Sequence, residues 1–386
     1  MFVTSTPPQR GTTVNGPLPD LVYATPYDSS GYATAARRYL RALWKLQHPT
    51  AWLPLTVQYD GWLPKERPAD GPPELMRLPG DATPDPILLA HCIPHGWAKI
   101  GAHRAHRRFI GQTVWEADPI PTRWHHELQA ADEIWVPTRW NADVFTASGV
   151  TAPVHVVPHI IDESQPGDPP LDLPDDRFVF LTIGTWDWRK RPDLLLHAYL
   201  RAFTADDPVL LVIKTGRRIL SWTTANETER QTWYQLMQVV RQYRNPAEVM
   251  LVTEELTDQQ MSGLLRQADC FASLTCVEGW GLGAFDAAAA GVPVIITGYG
   301  GQMEWLGHDH PGAVPFTMAA ADHQDRTMFE PGMTWAIADV DVAADMMRSV
   351  ISSSSPIRAA ATPLARRLSD TYSEQTIGQL MKALLA

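Results

Sequence analysis

The stretch from Cys270 to Gly301 constrains the fold more tightly than any other part of the chain. Residues 270–275 form a short apolar run of strand length. They lead into Glu278-Gly-Trp-Gly281-Leu282-Gly283, where three glycines keep a loop free of side-chain bulk. A small-residue helix follows over 284–290, ended by Gly291, and Pro293 blocks its continuation. Residues 294–297 read as the next buried strand, and Gly300-Gly301 open a second loop. Strands joined through helices in this way imply a parallel sheet, which leaves a ligand crevice at the carboxyl ends of its strands.

The chemistry of this stretch lies in two acids. Glu278 sits in the loop and Asp286 about two turns later, so both carboxylates approach that crevice. Free backbone N–H groups at the helix start, over Gly281, Leu282 and Gly283, can hold an anion such as a phosphate. Carboxylates beside them suit sugar and ribose hydroxyls, which are donors. A loose dinucleotide pattern, Gly279-x-Gly281-x-x-Ala284, overlaps the same loop, but Thr297 is followed by Gly298 and Tyr299 where that fingerprint needs an acid.

An acid, seven residues and a second acid, inside a strand–Gly-loop–helix–GxPV unit, resembles the signature of retaining, nucleotide-sugar-dependent glycosyltransferases of the GT-B fold, the large family-four group. The resemblance implies two facing Rossmann-like doubly wound α/β domains with a cleft between them. It places Glu278 against the donor sugar and phosphate, and Asp286, where Glu is usual, at the nucleotide ribose. Other pieces that resemble the family are Trp115-Glu116…Pro121, Ala131–Thr138 and Val156-Val-Pro158-His159-Ile-Ile-Asp162. The likeness spans about residues 20 to 350 and is weakest over 47–85.

Length and charge agree with a two-domain enzyme. The 386 residues suit two domains of ordinary size, and 45% apolar content supplies a core for each. A formal charge of −11 argues against a general nucleic-acid binder. The first residues show no apolar leader, and no apolar run approaches the ~20 residues that span a bilayer. Cys92, Cys270 and Cys276 lack CxxC spacing and read as reduced structural thiols of a cytoplasmic protein. The Pro-rich stretch 163–176 is the clearest composition break. We therefore expect an acceptor-binding domain over 1–165, a nucleotide-sugar-binding domain over 166–355, and helices over 356–386 that, in the family, cross back to the first domain. Residues 1–19 read as a loose or surface-laid segment.

In the first half, strands are expected at 21–25, 51–58, 87–91, 109–114, 133–137 and 154–159, with helices at 33–46, 121–131 and 139–147, and a long loop over 60–86. The loop holding Gly31 and Tyr32 precedes a helix and is either a phosphate or acceptor contact or a plain turn. Glu116 and Tyr32 are the acceptor-side candidates. Two histidines mark the end of the 87–91 strand. His95, beyond the strand, reads as the cleft histidine that the resemblance sets against donor hydroxyls, and His91 as packed. The basic segment 103–108 reads as a solvated helix face in preference to an anionic-acceptor or membrane surface. His308 and His310 lack a third metal ligand at sensible spacing.

In the second half, the strand 178–185 runs into Arg189-Lys190-Arg191-Pro192 at a helix start. Fixed cations there would stabilise the charge that grows on a departing diphosphate. Lys190 matches the family's lysine, and the arginine role falls to Arg189 or Arg191. The family's arginine just after the strand glycine is replaced by Thr185. Lys214, at the end of the 209–214 strand, and Glu255, in the loop after 249–253, complete the donor-side set; the latter would approach the base. Asp339 or Asp341 reads as a helix cap. The expected reaction is transfer of a sugar from a nucleotide-diphosphate sugar with retention, without metal or other cofactor. The resemblance also implies that the departing phosphate oxygen takes the acceptor's proton. The acceptor class stays open among a sugar chain, a lipid-linked sugar, a small metabolite and a protein. The alternatives are a GT-B-like nucleotide-sugar epimerase and a degenerate, non-catalytic nucleotide-sugar-binding protein.

Overall fold

The computed structural model of the chain describes residues 17–58, 61–69, 71–163, 167–219, 226–321 and 328–386. Most of the expected segment 1–19 and residues 164–166, near the start of the 163–176 break, lie outside the described residues. The first sheet contains β1 (Leu21–Thr25), β2 (Thr50–Gln58), β3 (Gly61–Pro64), β4 (Ile87–His91), β5 (Arg108–Gln112), β6 (Glu133–Val136) and β7 (Val154–Val156), in the order β3-β2-β1-β4-β5-β6-β7. Its strands are parallel except β3, which pairs with β2 as an antiparallel edge. The second sheet contains β8 (Phe178–Ile183), β9 (Val209–Lys214), β10 (Glu248–Val252), β11 (Cys270–Ser273), β12 (Val294–Thr297) and β13 (Ala313–Val314), all parallel, in the order β10-β9-β8-β11-β12-β13.

The ordering sets the position of the site. β1 lies between β2 and β4, and β8 lies between β9 and β11. At each of these points the winding of the sheet reverses, and the loops leaving the two strands diverge to open a crevice. In the first sheet those loops hold residues 26–30 and 92–96; in the second they hold residues 184–191 and 274–281.

Helices α1 (Gly31–Lys45), α2 (Pro73–Met76), α3 (Trp97–Ala102), α4 (Trp124–Leu128) and α5 (Arg139–Ala147) belong to the first half. Helices α6 (Pro192–Ala202), α7 (Thr232–Val240), α8 (Asp258–Arg266), α9 (Leu282–Ala289), α10 (Gln302–Leu306) and α11 (Val340–Val350) belong to the second. The chain ends in α12 (Pro356–Thr371) and α13 (Glu374–Leu385), and α13 packs on α1. Local signals explain the helix starts. Ser30 caps α1 through Ala33 N, Thr257 and Gln260 form a capping box on α8, and Asp339 caps α11.

Two expectations need correction. The helix expected over 121–131 shrinks to α4, because Pro119 and Pro121 hold the preceding chain extended. The long loop over 60–86 contains β3 and α2. The structure also adds an unanticipated hairpin, β14 (Phe316–Ala320) with β15 (Thr334–Ala338). The segment leading into β15 reaches the first half: Thr334 exchanges backbone hydrogen bonds with Asp118, and Phe329 stacks on Trp115 at 5.4 Å. One apolar cluster runs through both halves, joining Tyr39 and Leu43 of α1 to Trp280, Phe285, Trp305 and Tyr372. Burying each such side chain contributes roughly 1.5–3 kcal/mol, so the two sheets are held together by packing before any ion pair is considered.

Candidate active site

The 184–191 loop is shaped by a residue that sequence reading passed over. Asp187 accepts hydrogen bonds from the backbone N–H groups of Arg189 and Lys190, both at 2.8 Å, and from the Thr185 hydroxyl at 2.9 Å. Burial works against its charge, but Arg189, Lys190 and these bonds hold its carboxyl below the usual range. An Asp two and three residues before the N–H groups it accepts is an Asx-type turn, so the signal was present in Asp187-Trp-Arg-Lys. The turn brings Arg189 and Lys190 together over the end of β11. Arg191 follows with φ of 45°, a strained left-handed conformation, and caps α6.

Glu278 receives both cations. Lys190 Nζ lies 2.6 Å from its Oε1, and Arg189 Nη1 lies 3.2 Å from its Oε2. Burial alone would raise the Glu278 carboxyl; Lys190 and Arg189 outweigh it and hold the group below its ordinary value. Arg189 also donates to Val277 O at 2.9 Å, and its Nη2 lies 3.5 Å from Oε1 of Glu116 on the first half. Glu116 has the opposite balance. Burial, with Glu278 nearby, raises its carboxyl in spite of Arg189. Two carboxylates from the two halves therefore share one guanidinium unequally.

Glycines let the halves meet here. A Cβ on Gly279 would lie 2.1 Å from Val114 Cγ2 and 2.8 Å from Trp115 O. Gly281 has φ of 79° and stands before α9, so the helix starts immediately after the turn. Gly283 lets α9 approach Phe271 and Ile183 at the strand ends. Leu282 faces Gly31 across the cleft: a Cβ there would lie 3.6 Å from its Cδ1.

Behind Lys190 a cavity opens at the switch point of the second sheet, lined in part by Thr182, Gly184, Thr185, Thr215 and Thr275. The hydroxyl oxygens of Thr215 and Thr275 are buried there without a partner. Thr185 stands at its rim, where the resemblance leads one to expect an arginine, and Arg189 supplies the guanidinium from four residues further along.

The remaining candidates divide. Tyr32 is tied down: its hydroxyl pairs with Thr113 Oγ1 at 3.0 Å and Val114 O at 3.1 Å, bracing the loop that carries Glu116. Arg191 turns to Asp193, with Nη2 2.7 Å from Oδ2, so the arginine beside Glu278 is Arg189. Lys214 is half-buried at the end of β9, where burial lowers its pKa; Glu255 is exposed nearby. His95 lines a separate depression with Arg123, Trp124 and Glu127, and its backbone carbonyl accepts from Trp62. His91 is buried against Tyr23, whose hydroxyl lies 2.8 Å from its Nδ1, and its ring sits 6.5 Å from that of His159. His159 in turn meets Trp280 edge-on. Burial pushes the His91 pKa down to about 3, so the ring is neutral. The histidine that meets the 278–283 loop is thus His159 rather than His95, through Trp280, with His91 packed behind it.

Asp286 lies apart from this group. Arg38 of α1 donates to its two oxygens at 2.8 and 2.7 Å and to Ile160 O at 3.0 Å. Burial pushes the Asp286 carboxyl up, yet two parallel N–H···O bonds need two acceptor oxygens, so the pair is ionised. Arg38 was missed in the sequence because its partner stands 248 positions away and a helical arginine reads as a solvated face.

Residues 167–328 match the family model for glycosyl transferases group 1. No curated protein matches the chain. Among solved structures it is similar to a sucrose-phosphate synthase from Thermosynechococcus elongatus, with 14% identity and a TM-score of 0.65 over 94% of this chain and 97% of that one. A trehalose-6-phosphate protein from E. coli, bound with UDP-2-fluoro glucose, gives 11% identity and a TM-score of 0.62 over 95% and 98%. TarM from S. aureus, in a complex that includes UDP and alpha-GlcNAc-glycerol, gives 12% and 0.54 over 78% of this chain and 55% of that one, so the chain spans about half of TarM. At such identities the likeness carries the fold, which is GT-B: two facing Rossmann-like doubly wound domains with a cleft between them. Among the described residues no helix is long and apolar enough to cross a membrane.

Proposed function

We propose, from the match of residues 167–328 to the model for glycosyl transferases group 1, that this chain moves a sugar from a nucleotide-diphosphate donor to an acceptor hydroxyl with retention of configuration. The observation that carries the reading is the Lys190–Glu278–Arg189 group at the switch point of the second sheet. When the glycosidic bond breaks, its electron pair passes to the diphosphate. Lys190 and Arg189 then stabilise a charge that is larger in the transition state than in the ground state. Arg189 stands in for the arginine absent at Thr185. Glu278, held ionised, faces the developing positive charge of the sugar ring and accepts from its hydroxyls. The N–H groups at the start of α9 complete the diphosphate cradle.

In this reading the two side-chain cations do the work that a metal would do, so turnover should survive a chelator. Asp286 holds Arg38 in the unliganded chain, so a ribose contact would have to share that carboxylate. The first half, 1–165, would hold the acceptor and 166–355 the donor, with 356–386 locking the first half to the second. The cytoplasmic assignment rests on the unpaired, buried thiols of Cys92, Cys270 and Cys276. UDP-bound relatives of the same fold make uridine donors the first to try.

The test is release of nucleotide from UDP-, GDP-, ADP- and TDP-sugars in the presence of EDTA, with a glycan and metabolite panel as acceptors. The reading predicts metal-independent release with one nucleotide class and a product of the donor's anomeric configuration. Inversion would overturn the stereochemical part, and interconversion of nucleotide sugars without an acceptor would favour an epimerase.

A further inference from the structure

Among the described residues of the first half, Glu116 is the carboxylate brought up to the Arg189 guanidinium. It stands on the loop after β5, beside the residues that Tyr32 braces, and its side chain retains 24% exposure. Its charged and titratable neighbours come from three elements: Arg189, Lys190 and Asp187 on the 184–191 loop, Glu278 on the 276–281 loop, and Tyr32 at the start of α1. Its contact to Arg189, at 3.5 Å, is looser than the 3.2 and 2.6 Å contacts that saturate Glu278.

We propose that Glu116 is the base that removes the proton from the acceptor hydroxyl. This rests on the transferase reading above and departs from the expectation that the departing phosphate oxygen takes that proton. In a front-face transfer the attacking and departing oxygens lie on the same side of the sugar, and Arg189 marks the departing one. A carboxylate from the opposite half beside that arginine is placed at the attacking one. The acceptor oxygen forms its bond to the anomeric carbon as the bond from that carbon to the phosphate oxygen breaks. The electron pair goes to the diphosphate and the proton to a Glu116 oxygen. Two carboxylates whose surroundings drive them apart, Glu278 toward the ionised form and Glu116 toward the protonated one, take the two roles that such a reaction needs.

The test uses the full chain and the donor that it turns over, with nucleotide release as the readout. Glu116→Gln should lower kcat by about a hundredfold or more while UDP, or whichever nucleoside diphosphate binds, still raises Tm as in wild type. The ascending limb of the pH–rate profile should vanish, and formate should partly restore Glu116→Ala. A bridging role alone would leave the limb in place and give no rescue. Carboxyl carbon-13 NMR, assigned by the signal lost in Glu116→Gln, gives a second reading that needs no turnover. Titration above the usual glutamate range supports the assignment, and titration within or below it overturns it. Wild-type kcat and an unchanged profile in Glu116→Gln would also overturn it. A wild type that neither binds nor turns over any nucleotide sugar would instead sink the transferase reading, and this assignment with it.

Discussion

Two charged assemblies cross the cleft, and they are built on opposite lines. Along α1, Arg37, Arg41 and Lys45 recur every four residues, with Arg38 beside them. Arg37 meets Asp258 of α8, Arg38 meets Asp286 of α9, Arg41 meets Asp162 and Glu374, and Lys45 meets Glu163 and Glu374. Each cation here has a carboxylate on another element, and the most buried pair is bidentate. In the Glu278 group, three carboxylates from Glu116, Asp187 and Glu278 meet two cations, and their hold is uneven. A seam in which every cation already faces a carboxylate holds the elements together. An unevenly satisfied group beside a cavity can exchange its partners for a substrate.

The largest effect should come from breaking the seam at its most buried point. Arg38→Met leaves the Asp286 carboxylate uncompensated and should cost about 3–5 kcal/mol of stability in urea unfolding. Adding Asp286→Leu should recover most of the loss, which would identify an architectural pair. Failure of the double variant to recover would mean that one partner has a further role.

Next comes Lys190→Met. Removing one fixed cation from the leaving group should lower turnover by roughly 10²–10³, and loss of a partner of Glu278 should lower Tm by less than Arg38→Met does, since Arg189 remains beside it. If Tm falls as far as in Arg38→Met while kcat holds, the contrast between the two assemblies collapses.

Two isosteric substitutions should shift stability in opposite directions. The folded-state pKa of Glu278 is lowered, so its contribution is present above the unfolded value of about 4.3 and is lost as pH falls through the folded value. Glu278→Gln should therefore be less stable than wild type at pH 7, the gap closing in acid. Glu116 is raised, so its ionisation costs stability above its folded value, and that cost disappears as pH falls. Glu116→Gln should be more stable than wild type at pH 7 to 8, its advantage shrinking toward pH 4. Thermal melts across that range would read both signs. The smallest effect belongs to Arg37→Ala, whose partner Asp258 is 65% exposed: under about 1 kcal/mol, and removed by 0.5 M salt.

The same contrast explains what could be read from sequence. Strand β12 and helix α5 fall at 294–297 and 139–147 as their patterns predict, because apolar runs and caps are local. The approach of Lys190 to Glu278 was also legible, since both sit at strand ends of one sheet. The seam was not, since its partners lie far along the chain and a charged helix face looks solvated until a neighbour covers it. The hairpin β14–β15 was missed because Phe316–Ala320 is mostly exposed and gives no alternating pattern. His95 was favoured over His91 because position beyond a strand suggests reach. In the structure the loop turns it toward α4, while His91 packs against Tyr23, Tyr39 and His159.

The most direct measurement is the thermal response of wild type and Lys190→Met to UDP, GDP, ADP and TDP and their sugars. The account predicts that one nucleotide class raises the wild-type Tm and that most of the gain is lost in the variant. No response to any of them, or an equal gain in Lys190→Met, would contradict the claim that this group is the donor site.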